Sequence, residues 1–183
     1  MALLLPVAVA LALVPLLGGT LRALSEVRLR ASWLFFAAFG LQIVAFPFGF
    51  LPWETGESPA KALWLVSYGC LLAAAVANRR MQGVPLVAVG LLLNLSAIVA
   101  NAGQMPVLPD ARDASGHSYL SEANSVADPA PLLGWLVDRW AAPDWVPLAN
   151  VYSVGEVVIA VGAFTVVLAA SGVRLRMHRR VPA

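Results

Sequence analysis

Five stretches of this chain, residues 2–19, 33–53, 61–78, 84–101 and 150–172, are apolar runs of at least 18 residues. A helix needs roughly 20 such residues to cross about 30 Å of hydrocarbon at about 1.5 Å per residue. Lipid offers no water to an unpaired peptide group, so an isolated run of this kind has one stable spanning form, the α-helix. Composition agrees: 60% of residues are hydrophobic and 12% charged, where soluble domains carry about 25% charged residues. The expected fold is all-α, a single domain over residues 1–183 built as an integral membrane bundle of five transmembrane helices. The first run contains Pro6 and Pro15, and its basic residues follow it instead of preceding it. It therefore reads as the first span and not as a cleavable signal sequence.

The connections set the orientation. The connector holding Arg22, Arg28 and Arg30, the pair Arg79-Arg80, and the tail with Arg174, Arg176, Arg179 and Arg180 together carry nine basic residues, against Lys61, Arg112 and Arg139 on the other side. An excess of Lys and Arg marks the cytoplasmic side, which predicts the N-terminus outside and the C-terminus inside. Trp53, Trp64, Trp135, Trp140 and Trp145 then fall at the outer interface as an aromatic belt. Residues 102–149 form an outer loop rich in Pro, Asp, Ser and Gly, and within it Pro131 to Trp140 is expected to be a short amphipathic interfacial helix. Gly69, Ala73 and Ala77 make a small-residue stripe on which another helix is expected to pack closely.

Against this background Glu156 stands out as a carboxylate near the start of an apolar run. An acid in hydrocarbon is costly, by about 2.5–3.5 kcal/mol on insertion scales for Asp at a helix centre, and normally faces protein or water. Glu156 lies six residues past Asn150, about 9 Å along a helix, and Asn94 lies seven residues before Asn101, about 10 Å, so the two are expected at one level. Asn94 and Asn101 share a helix face, as do Ser153 and Glu156. With Gln42 from the second span and Gln104 in the Ala102–Pro106 turn, whose backbone donors lie just above, these residues are expected to converge on one outward-facing polar pocket. The plainer alternative is that Asn94, Gln42 and Glu156 join helices by hydrogen bonds worth on average about 0.6 kcal/mol each.

Other features point elsewhere or nowhere. Cys70 reads as a small packing residue, and a lone cysteine excludes an intramolecular disulfide. His117 and His178 are isolated, and Asp110, Asp113, Glu122 and Asp128 fit no EF-hand spacing. No metal and no cofactor is expected, nor nucleic acid as a partner, since helix ends account for the arginines.

The stretches Asn94-Leu-Ser-Ala-Ile-Val-Ala-Asn-Ala-Gly-Gln-Met-Pro106 and Val151-Tyr-Ser-Val-Gly-Glu-Val-Val-Ile-Ala-Val-Gly162 resemble the signature of an uncharacterised bacterial family of small polytopic membrane proteins, which usually has Asp at the position of Glu156. That resemblance implies a multi-pass protein of the bacterial cytoplasmic (inner) membrane. More distantly, the last four spans are similar to lipoprotein signal peptidase, the aspartyl peptidase also called signal peptidase II. Its final helix opens with Phe-Asn-x-Ala-Asp-x-x-Ile-x-x-Gly, which puts Glu156 at one catalytic aspartate and Asn94 at an asparagine of the preceding helix. Its other aspartate follows a Gly-x-Val-Val motif, and Gly103-Gln-Met-Pro-Val107, taken as the counterpart, carries no acid. Aspartyl chemistry needs two carboxylates. The favoured expectation is thus a protein that binds membrane lipids, a lipidated peptide or another membrane protein through Glu156, Asn94, Asn101, Gln104, Ser153 and Gln42 without catalysis. The alternative is a peptidase-like hydrolase using Glu156 with Asp110. A proton-coupled transporter is disfavoured, because five spans and one intramembrane acid leave little material for two gates.

Overall fold

The computed structural model of the protein describes residues 4–46, 55–114, 125–143 and 151–173. Five apolar helices dominate: α1 (Leu4–Leu16), α3 (Trp33–Ala45), α4 (Glu57–Ala77), α5 (Val84–Ala100) and α7 (Val154–Ala170). A short α2 (Leu21–Ser25), capped by the Thr20 hydroxyl, follows α1, and α6 (Pro109–Ala114) lies beyond α5. Of these, α4 is long and apolar enough to cross a membrane, and the other four apolar helices are shorter, at 13 to 17 residues.

The principal helix contacts run in the order α3, α4, α5, α7, α1, so that α3 and α1 flank the row. Neighbours are fastened at their ends. Asn78, closing α4, accepts from the Arg30 N–H at 2.8 Å and donates to the Arg30 carbonyl at 2.9 Å, which makes α3 and α4 antiparallel. The Thr20 N–H donates to the Ser171 carbonyl at 2.9 Å, joining the C-terminal ends of α1 and α7. Gly83, ahead of α5, lies against Gly162 and Val166 of α7. One end of the bundle therefore gathers Arg22, Arg28, Arg30, Arg79 and Arg80.

The opposite end is not a helical cap. β1 (Met105–Val107) pairs in parallel with β2 (Ser125–Ala127), Met105 opposite Ser125, and β3 (Trp140–Ala141) pairs antiparallel with β4 (Val151–Tyr152), Trp140 opposite Tyr152. The all-α expectation is corrected to this extent. The expected interfacial helix at Pro131–Trp140 is also corrected: residues 132–136 are turns, Leu133 has a φ of 53°, and Asp138 bridges to Val107. An L side chain in the left-handed region breaks the helical repeat. Leu136 and Val137, expected on one face of an amphipathic helix, are instead buried against Trp64, Ala97, Ile98 and Met105, with Tyr68 packed beside them.

Small residues act where α5 meets α7, not along α4. A Cβ on Gly90 would stand 2.5 Å from the Gly155 carbonyl oxygen, and one on Gly162 would stand 2.7 Å from the Val87 nitrogen, so the two backbones touch. Gly69 has nothing within 4 Å and Ala73 is exposed, which corrects the expected stripe on α4. Trp64 is corrected from belt to core, 6% exposed with its ring edge-on to Phe46 and Tyr68. Trp135 and Trp140 are exposed, while Trp53, Trp145, Asn150, His117, His178, Glu122 and the tail arginines lie outside the described residues.

Candidate functional site

The site is built around the first turn of α7. Chain before it is extended, as β4 and then Ser153, so the helix starts at Val154 and not at Asn150 as the sequence led one to expect. Ser153 caps it: the buried hydroxyl accepts from the Glu156 N–H at 3.1 Å and donates to Asn94 Oδ1 at 2.9 Å. Ser-x-x-Glu is the spacing of a capping box, and here the serine of the cap also ties α7 to α5. The tie is possible because Gly155 has no side chain; a Cβ there would run into Asn94 Oδ1. Asn94, 5% exposed, lies two turns before the end of α5, so the start of α7 is sunk well below that end.

Glu156 sits in this first turn, where the helix dipole favours a negative charge. Its charge reaches two other groups. One is the phenol of Tyr68 on α4, whose ring packs against the cluster that holds Leu136 and Val137. The other is the carboxyl of Asp138 in the loop leading to β3. The strand register places Asp138 there independently. Trp140 opposes Tyr152 and the Arg139 N–H donates to the Tyr152 carbonyl at 3.2 Å, so continuing the antiparallel ladder brings Asp138 opposite the start of α7. The Asp138 main chain is held in turn, its N–H donating to the Pro106 carbonyl at 3.1 Å and its carbonyl accepting from the Leu108 N–H at 2.9 Å. Burial, and then the Glu156 charge, raise the Asp138 carboxyl well above its ordinary value of 3.8.

The expected site residues are therefore distributed over several places. Asn94, Ser153 and Glu156 are together. Gln42 is not with them: its Nε2 donates to Ser67 Oγ at 3.0 Å, on the α3–α4 interface. Depth along a helix had suggested Gln42, but depth says nothing of direction around the axis. Asn101 closes α5 and clasps Leu132, with Nδ2 donating to the Leu132 carbonyl and Oδ1 accepting from its N–H, both at 2.9 Å. It thus supports the loop that carries Asp138. The Gly103 N–H donates to the Ile98 carbonyl and the Gln104 N–H to the Asn101 carbonyl, so the turn spends these two donors on the end of α5 and does not offer them to the pocket. For the Gln104 side chain, the described residues show no bond to the acid site. Asp110 is exposed in the first turn of α6, and the acid near Glu156 is Asp138 instead.

Two members of the site, Tyr68 and Asp138, were not expected from the sequence. Asp138 carried a readable signal, since Gly134-Trp-Leu-Val-Asp138 is a closer fit to glycine, two aliphatics and an acid than the stretch at Gly103. Tyr68 carried none, because a tyrosine in an apolar helix reads as packing. The arrangement offers two carboxyls, a phenol, an amide and a hydroxyl at one end of a helical bundle. Two such carboxyls can divide one proton, one acting as acid and the other as base.

No curated protein and no solved structure matches the chain. The family model DUF5317, described as a family of unknown function, matches residues 26–168, which include Tyr68, Asn94, Asp138, Ser153 and Glu156; the chain belongs to that family.

Proposed function

We propose that this protein is a multi-pass membrane hydrolase whose acid pair, Asp138 with Glu156, cleaves a peptide bond at the outer face of the bacterial cytoplasmic membrane. The five apolar helices are read as five spans with the N-terminus out and the C-terminus in. The arginine-bearing end is the cytoplasmic one, and the strand-bearing end faces out. Large apolar side chains support the membrane reading, since Trp33, Phe36, Phe39, Leu16 and Val99 are each at least 60% exposed. Surfaces of this kind need lipid or protein against them. Helices of 17 residues cover about 25 Å, near the thickness of the hydrocarbon, and the 13-residue helices α1 and α3 cover about 20 Å.

The observation that carries the hydrolase reading is the second carboxyl beside Glu156. Binding a lipid, a lipidated peptide or a partner protein needs one polar anchor, whereas hydrolysis by carboxylic acids needs two groups with different protonation states. In this reading one carboxylate takes a proton from water as it attacks the carbonyl carbon while the protonated partner donates to the carbonyl oxygen; the first then gives its proton to the leaving amine as the C–N bond breaks, and the partner recovers a proton from the hydroxyl of the collapsing intermediate. Asn94 and Ser153 fix the first turn of α7 so that the acid does not wander. The resemblance to lipoprotein signal peptidase, with Gly134-Trp-Leu-Val-Asp138 now at the second motif, supports a lipidated peptide as substrate.

The test uses membranes from cells expressing the wild type, Asp138→Asn, Glu156→Gln and Asp110→Asn, with new peptide N-termini identified by amine labelling and mass spectrometry. Outer-face N-termini should depend on Asp138 and Glu156 and be indifferent to Asp110. Equal product in all four would exclude acid-pair hydrolysis and return the site to a binding role.

A further inference from the structure

We propose that the cavity at the arginine-bearing end of the bundle seats one anionic phospholipid of the inner leaflet, its phosphate held by the arginines at the rim and the start of its acyl chains laid on the apolar wall. This rests on the membrane placement given above and is independent of hydrolysis at the other end.

The cavity measures about 520 Å³ and is open on one side, within the roughly 300–1,000 Å³ of sites that hold small molecules. Three segments wall it: the last turns of α7 with the residues after them, the turn between α4 and α5, and the connector after α2. Val27, Met81, Val166, Ala169 and Val173 line it with half-buried apolar side chains, and Gln82 is the polar side chain among the lining. Main-chain contacts hold this wall. Gly83 lies against Gly162 and Val166, which seats the turn on α7, and the Met81 N–H donates to the Asn78 carbonyl at 2.9 Å. Carbonyls near the end of α7 are engaged: those of Val167, Leu168 and Ala169 by the N–H groups of Ser171, Val173 and Gly172, and that of Ser171 by Thr20. They therefore put little negative charge beside the cavity.

Positive charge gathers at the rim. Arg28 follows Val27 and Arg80 precedes Met81, so each is the chain neighbour of a wall residue. The Asn78 side chain, bonded to both main-chain groups of Arg30 at 2.8 and 2.9 Å, brings the two arginine stretches together. Among the described residues the acid at this end is Glu26, and it lies 3.7 Å from Arg22. Arg28, Arg30 and Arg80 have no carboxylate partner among those residues. The sequence that continues from Val173 adds Arg174, Arg176, Arg179 and Arg180, of the same sign, and cannot supply the counter-charge. A phospholipid with a net negative charge meets both demands, because its phosphate answers the arginines while its first methylenes cover the apolar wall. Free phosphate would leave that wall in water, and a lipid without net charge would leave the arginines uncompensated.

The experiment is native mass spectrometry of the full-length protein released from detergent, titrated with phosphatidylglycerol or with phosphatidylcholine. One bound phosphatidylglycerol should survive release, and phosphatidylcholine should be lost. Arg28→Gln and Arg80→Gln should each weaken retention about fivefold, the worth of one basic residue beside an anionic headgroup. Arg22→Gln changes the net charge equally at the same end but lies outside the lining, and should leave retention close to that of the wild type. Ala169→Leu, which fills the cavity without touching a charge, should expel the lipid; if it does not fold, Val27→Phe fills the same space from the connector. Equal losses in all three arginine variants would reduce the effect to the general field of this end and overturn the seat. Full retention in the cavity-filling variant would overturn it too, as would inorganic phosphate retained as tightly as the lipid, since the wall would then be idle. A dimer that the cavity-filling variant dissolves, in place of a bound lipid, would give the cavity to a second copy of the chain. Asp138→Asn should keep the lipid as the wild type does, so failure here leaves the acid pair standing.

Discussion

Asn101 holds Leu132 by both of its main-chain groups, through two hydrogen bonds of 2.9 Å that run in opposite directions, while a third ties the same amide to the Ala97 carbonyl at 2.8 Å. One side chain at the end of α5 therefore fixes the turn from which Leu136, Val137 and Asp138 hang. Replacing it by alanine should cost about 1–2 kcal/mol, since the bonds to Leu132 are near water and only part of their strength is lost. Amide exchange in residues 131–139 should accelerate in Asn101→Ala. Asn101→Asp, which keeps the acceptor for the Leu132 N–H and loses the donor, should fall between alanine and wild type. Exchange at the wild-type rate in the alanine variant would remove Asn101 from this role.

Gly155→Ala should be among the most damaging changes of a single methyl in the chain. The added Cβ has to occupy the place of Asn94 Oδ1, and Asn94 cannot yield without releasing Ser153. Overpacking of a close contact typically costs about 1–3 kcal/mol, and the lost hydrogen bond adds to that. Gly69→Ala, with nothing within 4 Å, should be neutral or slightly favourable. Thermal unfolding in detergent, followed by circular dichroism, checks both; similar midpoints for the two variants would contradict the contact between α5 and α7.

The Asp138 carboxyl, raised by burial and by the Glu156 charge, gives stability a definite dependence on pH. Between the ordinary value of 3.8 and its higher folded value, the folded protein holds a proton that the unfolded chain releases. Stability contributed by this group is therefore present at and below the ordinary value and declines as pH rises toward the folded one. Asp138→Asn should flatten that decline. A variant with the same slope as wild type across this window would show that Asp138 is not held in the described surroundings.

Orientation is checked with Cys70 replaced by serine and single cysteines introduced at Asp128, half-buried, and Arg80, exposed, both among the described residues. In intact cells an impermeant thiol reagent should label Asp128→Cys and spare Arg80→Cys, which should react after lysis. The reverse pattern would invert the proposed topology.

Much of the helical plan was legible because its signals are local. Five apolar runs bounded by Arg, Pro and Asn stand where the five apolar helices stand, and the three-residue spacing of Ser153 and Glu156 is that of a helix cap. What was not legible depends on contacts between distant segments. Asp138 reads as the polar face of a short helix until Leu133 takes a left-handed turn and the Pro106 and Leu108 main chain captures residue 138. Gln42 reads as a pocket residue until Ser67, buried on the facing helix, accepts its bond.

The order of the row, with α1 and α5 both packed on α7, bears on how the protein is made. α3 and α4 are adjacent in sequence and meet as soon as both are synthesised. α1 and α5, by contrast, lack their main partner until α7 leaves the ribosome, and so do Asn94 and Asp138. Domains form as their chain emerges, at about 5–20 residues per second, so much of the bundle waits for α7 before it can pack. A ribosome that stalls before Ser153 would leave behind an incomplete bundle with no acid at position 156 and no assembled site. Synthesis of α7 and closure of the tie between Asn94 and Ser153 are thereby made the same event.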